Sequence, residues 1–167
     1  MNHRAVVLDV SKQIAIAIIV ALMLPSITSA KPAQEEAALR SVIAAHEHAS
    51  MIGDLRGLVD AYAADAEIVS ASGAVTRGRD AIETMYRQQL AGAAAKSGRH
   101  HTHPADGIHI RFVTPDVALI DLPSRNVGGR TADGAEMPPS EVSLITVWRK
   151  TGGNWLVVSQ RAMPVAK

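Results

Sequence analysis

The sequence predicts an α+β domain, with helices gathered in its first half and antiparallel strands in its second. Three observations carry that reading. Apolar residues recur at helical spacing through three segments between Pro32 and Gln89. Alternating and continuous apolar runs of strand length begin at Ile108. Turn signals separate those runs at Thr114-Pro115-Asp116, around Asp133-Gly134, and at Thr151-Gly152-Gly153-Asn154.

The first segment stands apart from this domain. Arg4 and Lys12 precede an apolar run, Ile14 to Leu24, which Pro25 breaks ahead of Thr28-Ser29-Ala30. A basic start, an apolar run and a small-x-small exit make residues 1–30 a secretory signal peptide. A bilayer-spanning helix takes about 20 apolar residues, more than this run supplies. Asp9 in the basic region keeps an uncleaved anchor as the alternative. Cleavage near Ala30 leaves residues 31–167 as one domain, exported to the periplasm or the medium and free of the membrane.

In Pro32 to Met51, the residues Leu39, Val42, Ile43, His46, Ala49 and Ser50 share one helical face. Gly53-Asp54 ends that helix and caps a second over Asp54 to Ala64, where Leu55, Leu58, Val59 and Tyr62 line up. Glu67 to Ala71 reads as a short strand before a Ser72-Gly73 turn. Arg77-Gly78-Arg79-Asp80 opens a third helix carrying Ile82, Met85, Tyr86 and Gln89 on one face, with Asp80 as its cap. Ala91 to Gly98 reads as a fraying end.

Ile108 to Val113 alternates as a half-covered strand. Val117 to Leu122 is apolar on both faces and reads as a central one. Pro123 to Ser140, rich in Gly, Pro and charge, reads as a long hairpin tip. Glu141 to Lys150 and Trp155 to Met163 form the closing hairpin.

Composition excludes several classes of function. The chain has 167 residues, no cysteine, and a formal net charge of +1. Without cysteine there is no disulfide framework, thiolate metal site or thiol nucleophile. Removing Arg4, Lys12 and Asp9 with the signal leaves 15 basic and 15 acidic residues. That balance is wrong for a nucleic-acid binder, which needs a basic excess on one face. No phosphate-binding glycine loop, dinucleotide fingerprint or serine nucleophile elbow is present, so no cofactor is expected.

Several local phrases resemble the nuclear transport factor 2-like superfamily, and its SnoaL-like branch in particular. They are His46-Glu47-His48-Ala49-Ser50-Met51-Ile52-Gly53-Asp54-Leu55, Tyr62-Ala63-Ala64-Asp65-Ala66, and Gly73 with Arg77-Gly78-Arg79-Asp80-Ala81-Ile82. The ending Val147-Trp148-Arg149-Lys150 followed by Trp155 to Arg161 fits the same pattern. The resemblance covers about residues 33–164 and implies a cone, in which a curved antiparallel sheet wraps three N-terminal helices around a mostly apolar pocket. It also implies a homodimer packed through the sheet, and Val117 to Leu122 with Val142, Leu144, Ile145 and Val147 have apolar residues on both faces to bury.

Ketosteroid isomerase, a relative in this fold, carries a donor tyrosine seven residues before the turn glycine. That position here is His46. The relative's general-base position corresponds to Ser70, which is no carboxylate. The late-sheet carboxylate of SnoaL cyclases has no counterpart on Trp155 to Met163.

The candidate site residues follow from these placements. His46 sits mid-face on helix one, where a buried imidazole needs a partner; it is either a pocket donor or a core histidine held by a carbonyl or hydroxyl. His101 and His103 are two apart and share a strand face, as catalytic bases at the pocket mouth or as an exposed strand entry. A metal would need Asp106 or His109 to fold back as third ligand, and none is expected. Tyr62, Tyr86, Trp148 and Trp155 are candidate pocket walls, each with ordinary core packing as the alternative. Arg111, like Arg161, would hold an acidic ligand if it pointed inward. The leading expectation is an exported cone that binds a small, largely apolar molecule. The alternatives are an acid/base enzyme acting on a lipophilic carbonyl compound, and a dimeric assembly module.

Overall fold

The computed structural model describes residues 27–92 and 96–165. The basic start and apolar run of the expected signal lie outside the described residues. Helix α1 spans Ile27–Ile52 and so begins before Ala30. Among the described residues, no helix is long and apolar enough to cross a membrane. The chain divides into two units, residues 1–35 and 36–167, and everything below concerns the second.

That unit is α+β. Helix α1 gives way at Gly53, which takes a left-handed conformation (φ 71°). Helix α2 (Leu55–Asp60) follows at once, and α3 (Arg79–Ala91) comes after two strands. The strands are β1 (Tyr62–Val69), β2 (Val75–Arg77), β3 (His100–Thr102), β4 (His109–Thr114), β5 (Val117–Val127), β6 (Ser140–Thr151) and β7 (Asn154–Pro164). They form one seven-stranded sheet in the order β2-β1-β7-β6-β5-β3, with β4 also paired to β5. Every ladder is antiparallel except β1 with β7, which is parallel.

The helical face read from the sequence is the buried one. Leu39, Ile43 and Ala49 of α1 are buried, as are Leu58 and Val59 of α2 and Ile82 and Tyr86 of α3. They pack with Ala118, Ile120, Leu122, Trp148 and Val157 on the inner face of the sheet. Among the described residues, no buried side-chain nitrogen or oxygen lacks a partner.

Three boundaries differ from the sequence reading. Helix α2 stops at Asp60 rather than Ala64, because Ala61 presents its carbonyl to the Val157 N–H at 2.9 Å. Pairing with β7 therefore captures the chain before another helical turn forms, and Tyr62 opens a strand. The Gly78 backbone (φ 82°), not Asp80, stands at the N-cap of α3, and Asp80 lies in the first turn. The expected hairpin tip is shorter, because β5 runs on to Val127 and β6 begins at Ser140.

Pro123 is the reason the sequence pattern of β5 stops short of its true end. A central strand normally excludes proline, which cannot donate to the ladder. Here β4 pairs with β5 up to Asp121 and β3 pairs from Arg125, so Pro123 falls in the gap between two short neighbours. A single 3-10 turn, Ala105–Gly107, fills that gap. A Cβ on Gly107 would come within 2.6 Å of the proline ring, so only glycine fits there.

Candidate functional site

Between α1, α3 and the inner face of the sheet lies a cavity of about 650 Å3. That is within the usual range for a small-molecule site. Its floor and far wall are apolar, from Ile43, Leu58, Ile68, Leu122, Leu144 and Val157. One wall is polar, and the helical face of α1 creates it. His46 and Ser50, one turn apart, both line the cavity.

Three histidines meet on that wall. The ring centroids of His46 and His101 are 6.2 Å apart, and those of His101 and His103 are 5.4 Å apart. The Ser50 hydroxyl is 3.2 Å from His101 Nδ1. His103 Nδ1–H donates to the Pro123 carbonyl at 3.1 Å, and its backbone N–H donates to Glu47 Oε1 at 3.2 Å. With Nδ1 committed to a carbonyl, the neutral His103 ring keeps its Nε2 as an acceptor. Burial holds the pKa of His46 down to about 3 and that of His101 to about 4, helped by the neighbouring imidazoles. His103 is lowered too, chiefly by burial. All three are therefore neutral at pH 7.

Two tyrosines extend the polar wall. Tyr62 donates from its hydroxyl to Gln160 Oε1 at 2.9 Å. Its oxygen lies 2.8 Å from the Tyr86 hydroxyl, and Tyr86 lies 3.5 Å from His46 Nε2. Since the Tyr62 proton is used on Gln160, Tyr86 must donate to Tyr62, and His46 Nε2–H must then donate to Tyr86. Burial pushes the Tyr86 phenol up to about 12 and Tyr62 well above its ordinary value. The row is a directed chain of uncharged donors. Arg79 fixes its middle from behind: Nε donates to the Tyr62 carbonyl at 2.9 Å, and Nη2 donates to the same oxygen.

Most of the residues proposed from the sequence converge on this cavity, namely His46, His101, His103, Tyr62, Tyr86 and Trp148. Two do not. Trp155 is buried against Phe112, with ring centroids 6.0 Å apart, and lines a smaller pocket beside α2 instead. Arg111 is exposed and pairs with Leu119, whose side chain points to the outer face of the sheet. Arg161 is on that outer face as well, bonded to Glu67 at 2.5 Å. His109 is exposed opposite Asp121, so it does not fold back toward His101.

Sequence reasoning missed Gln160, Ser50 as a polar partner, and Arg99 at the mouth. A β-bulge between Val147 and Trp148 hides Gln160, since it lets both Val157 and Gln160 face inward three residues apart. No simple alternation reveals that.

With this geometry in place, likeness to known proteins becomes informative. A profile of the SnoaL-like domain matches residues 32–161. The chain belongs to the SnoaL-like family. No functionally curated protein matches its sequence. Solved structures show the same fold at low identity. An NTF2-like protein with a cystatin-like fold from Novosphingobium aromaticivorans is 18% identical, with TM-score 0.71 over 83% of this chain and 86% of that one. A candidate scytalone dehydratase from the same organism is 16% identical, with TM-score 0.70 over 83% and 89%. An uncharacterised protein with a cystatin-like fold from Caulobacter vibrioides is 21% identical, with TM-score 0.66 over 78% and 89%. This SnoaL-like domain thus has the family's curved sheet over helices. Its cavity is lined by the imidazole of His46 and by Ser70. Among the described residues, no aspartate or glutamate lines the cavity.

Proposed function

We propose that this SnoaL-like domain is an exported protein that binds a small, largely apolar molecule carrying a hydrogen-bonding oxygen. One observation carries the reading: an apolar cavity of about 650 Å3 has one wall of uncharged donors and acceptors, His46, Tyr62, Tyr86 and His101. An apolar body loses water against Leu122, Leu144 and Val157, which favours binding by about 25 cal/mol per Å2 of buried area. The protons of the His46, Tyr86 and Tyr62 row are committed within it, so a neutral hydroxyl on that body would donate to an acceptor left open, such as His103 Nε2.

The test is native mass spectrometry of the full chain, expressed with its export route intact. The expected result is a chain beginning at Lys31, dimeric through the outer sheet face, that carries a small-molecule mass. Leu144→Trp, which fills the cavity, should abolish the adduct. An adduct that persists in that variant defeats the reading.

A second reading, proton-transfer catalysis on a lipophilic carbonyl compound, is favoured by one specific feature. His103 Nε2, open as an acceptor, and the His101 ring, bonded to Ser50 through Nδ1 alone, face the same cavity, so a base stands beside a second imidazole that can carry a proton. The solved structure named as a candidate dehydratase shares the fold, and dehydration needs that pairing. Time-resolved mass analysis of the recovered ligand separates the two readings. Conversion that is lost in His103→Gln supports catalysis, and an unchanged ligand supports binding alone.

A further inference from the structure

The cavity has a second polar feature, at its mouth, that the binding reading does not use. Arg99 precedes β3 and lines the cavity together with Asn126 of β5. The Arg99 guanidinium donates to the Pro138 carbonyl from Nη1 and Nη2, each at 3.3 Å, and from Nη2 to Ser140 Oγ at 3.0 Å. Asn126 Nδ2 donates to the same Ser140 Oγ at 3.4 Å. Two donors therefore share one hydroxyl, and every acceptor that Arg99 meets among the described residues is neutral.

Charge strengthens the point. Arg99 is the one formally charged side chain among the described residues lining the cavity. The carboxylate next to Ser140, Glu141, is exposed and bonded to Arg125, at 2.6 Å from Nη2 and 3.1 Å from Nε. In the alternation of β5 and β6, Arg125 and Glu141 are paired residues of the outer face, whereas Asn126 and Ser140 are paired on the cavity side. Among the described residues, the guanidinium at the mouth has no counter-ion. A carboxylate accepts two parallel N–H bonds from such a fork, which a lone hydroxyl cannot do. At the mouth it would also stay partly hydrated, so its desolvation cost is small.

We propose that the ligand is a lipophilic carboxylic acid, bound with its carboxylate at Arg99 and Asn126 and its apolar body in the cavity. This inference rests on the cavity-binding reading and adds the ligand's charge and polarity. The deep wall of neutral histidines and tyrosines takes an uncharged oxygen. The mouth takes the anion. The molecule is therefore oriented acid outward.

Isothermal titration with matched probes tests this. The pairs are 2-naphthoic acid with 2-naphthamide, and decanoic acid with decanamide, at pH 7.5. Each acid should bind about tenfold more tightly than its amide, the scale of one charge-assisted bond pair. Arg99→Gln should remove that preference while both members of each pair still bind, which shows the cavity intact. Arg99→Lys should keep part of it, as a point charge without the fork. Equal acid and amide affinity, or a preference that survives Arg99→Gln, overturns the inference while the cavity reading stands. Binding of neither member of either pair overturns the cavity reading and the inference with it.

Discussion

The hydroxyl of Tyr62 lies 2.8 Å from that of Tyr86, and because Tyr62 donates onward to Gln160, the proton between them belongs to Tyr86. One amide within β7 thus sets the tautomer of a histidine on α1. Gln160→Leu removes the terminal acceptor. Tyr62 should then donate back to Tyr86, Tyr86 to His46, and His46 Nε2 should lose its proton. Nitrogen-15 NMR of the His46 ring reads this directly: protonated Nε2 in the parent, unprotonated in the variant. An unchanged ring would show that the chain is not directed by Gln160.

Acid should destabilise the fold in a window that belongs to histidine. The folded pKa values of His46 and His101 are held down to about 3 and about 4, against an ordinary 6.5. Below pH 6.5 the unfolded chain takes up protons that the folded one refuses. Stability is therefore complete above that pH and falls on acidification until the folded values are reached. The slope cannot exceed about 1.4 kcal/mol per pH unit for each histidine. Urea unfolding at pH 7.5, 6.0 and 5.0 should show the loss, and a His46→Asn, His101→Asn double variant should flatten it. The carboxylates with lowered pKa, Glu67 and Asp133, lose stability only at lower pH, which keeps the windows separable.

Thr146 holds the inner sheet's largest ring in place. Trp148 Nε1–H donates to Thr146 Oγ1 at 2.8 Å, and the threonine hydroxyl donates to the Ile120 carbonyl at 3.4 Å, all buried. Thr146→Val preserves shape but strands the indole N–H, at a cost of about 1–3 kcal/mol. Thr146→Ser keeps the oxygen and should recover most of it. Chemical denaturation of both variants checks the ordering.

Gly57 inverts a familiar rule. Replacing a mid-helix glycine by alanine ordinarily stabilises by about 1 kcal/mol. Here the added Cβ would lie 2.8 Å from Ala49 Cβ and 2.7 Å from Asp54 Oδ2. The close approach of α1 and α2 therefore makes Gly57→Ala destabilising, by about 1–3 kcal/mol. A gain in melting temperature would show that the two helices separate easily.

The legible parts were those set by local pattern. The buried faces of α1 and α3, the closing hairpin and the pairing of His101 with His103 follow from spacing within a single element. The parts that failed depend on distant partners. Tyr62 reads as the last apolar residue of a helix until β7, nearly a hundred residues away, claims the backbone at Ala61. The edge strand β2, Val75–Arg77, is three residues long, too short for an alternation to show in the sequence. Arg111 and Arg161 were the arginines to weigh for an acidic ligand, because both stand on strands. The sheet's handed alternation sends them outward, and Arg99, in a connection with no periodicity, takes the mouth. Trp155 was placed by size, which says that a ring is buried but not against which neighbour.

The parallel pairing of β1 with β7 has a consequence in time. Helices α1 to α3 leave the ribosome, or any translocation channel, long before Asn154–Pro164 does, yet β1 has no inner-sheet neighbour until that segment arrives. Long-range pairings of this kind are the slow step of a fold. Tyr62 and Tyr86 are made early, but the glutamine that orients their protons comes near the end. Until that segment arrives, the apolar side of the cavity has no β7 to cover it. That is the state a chaperone would meet.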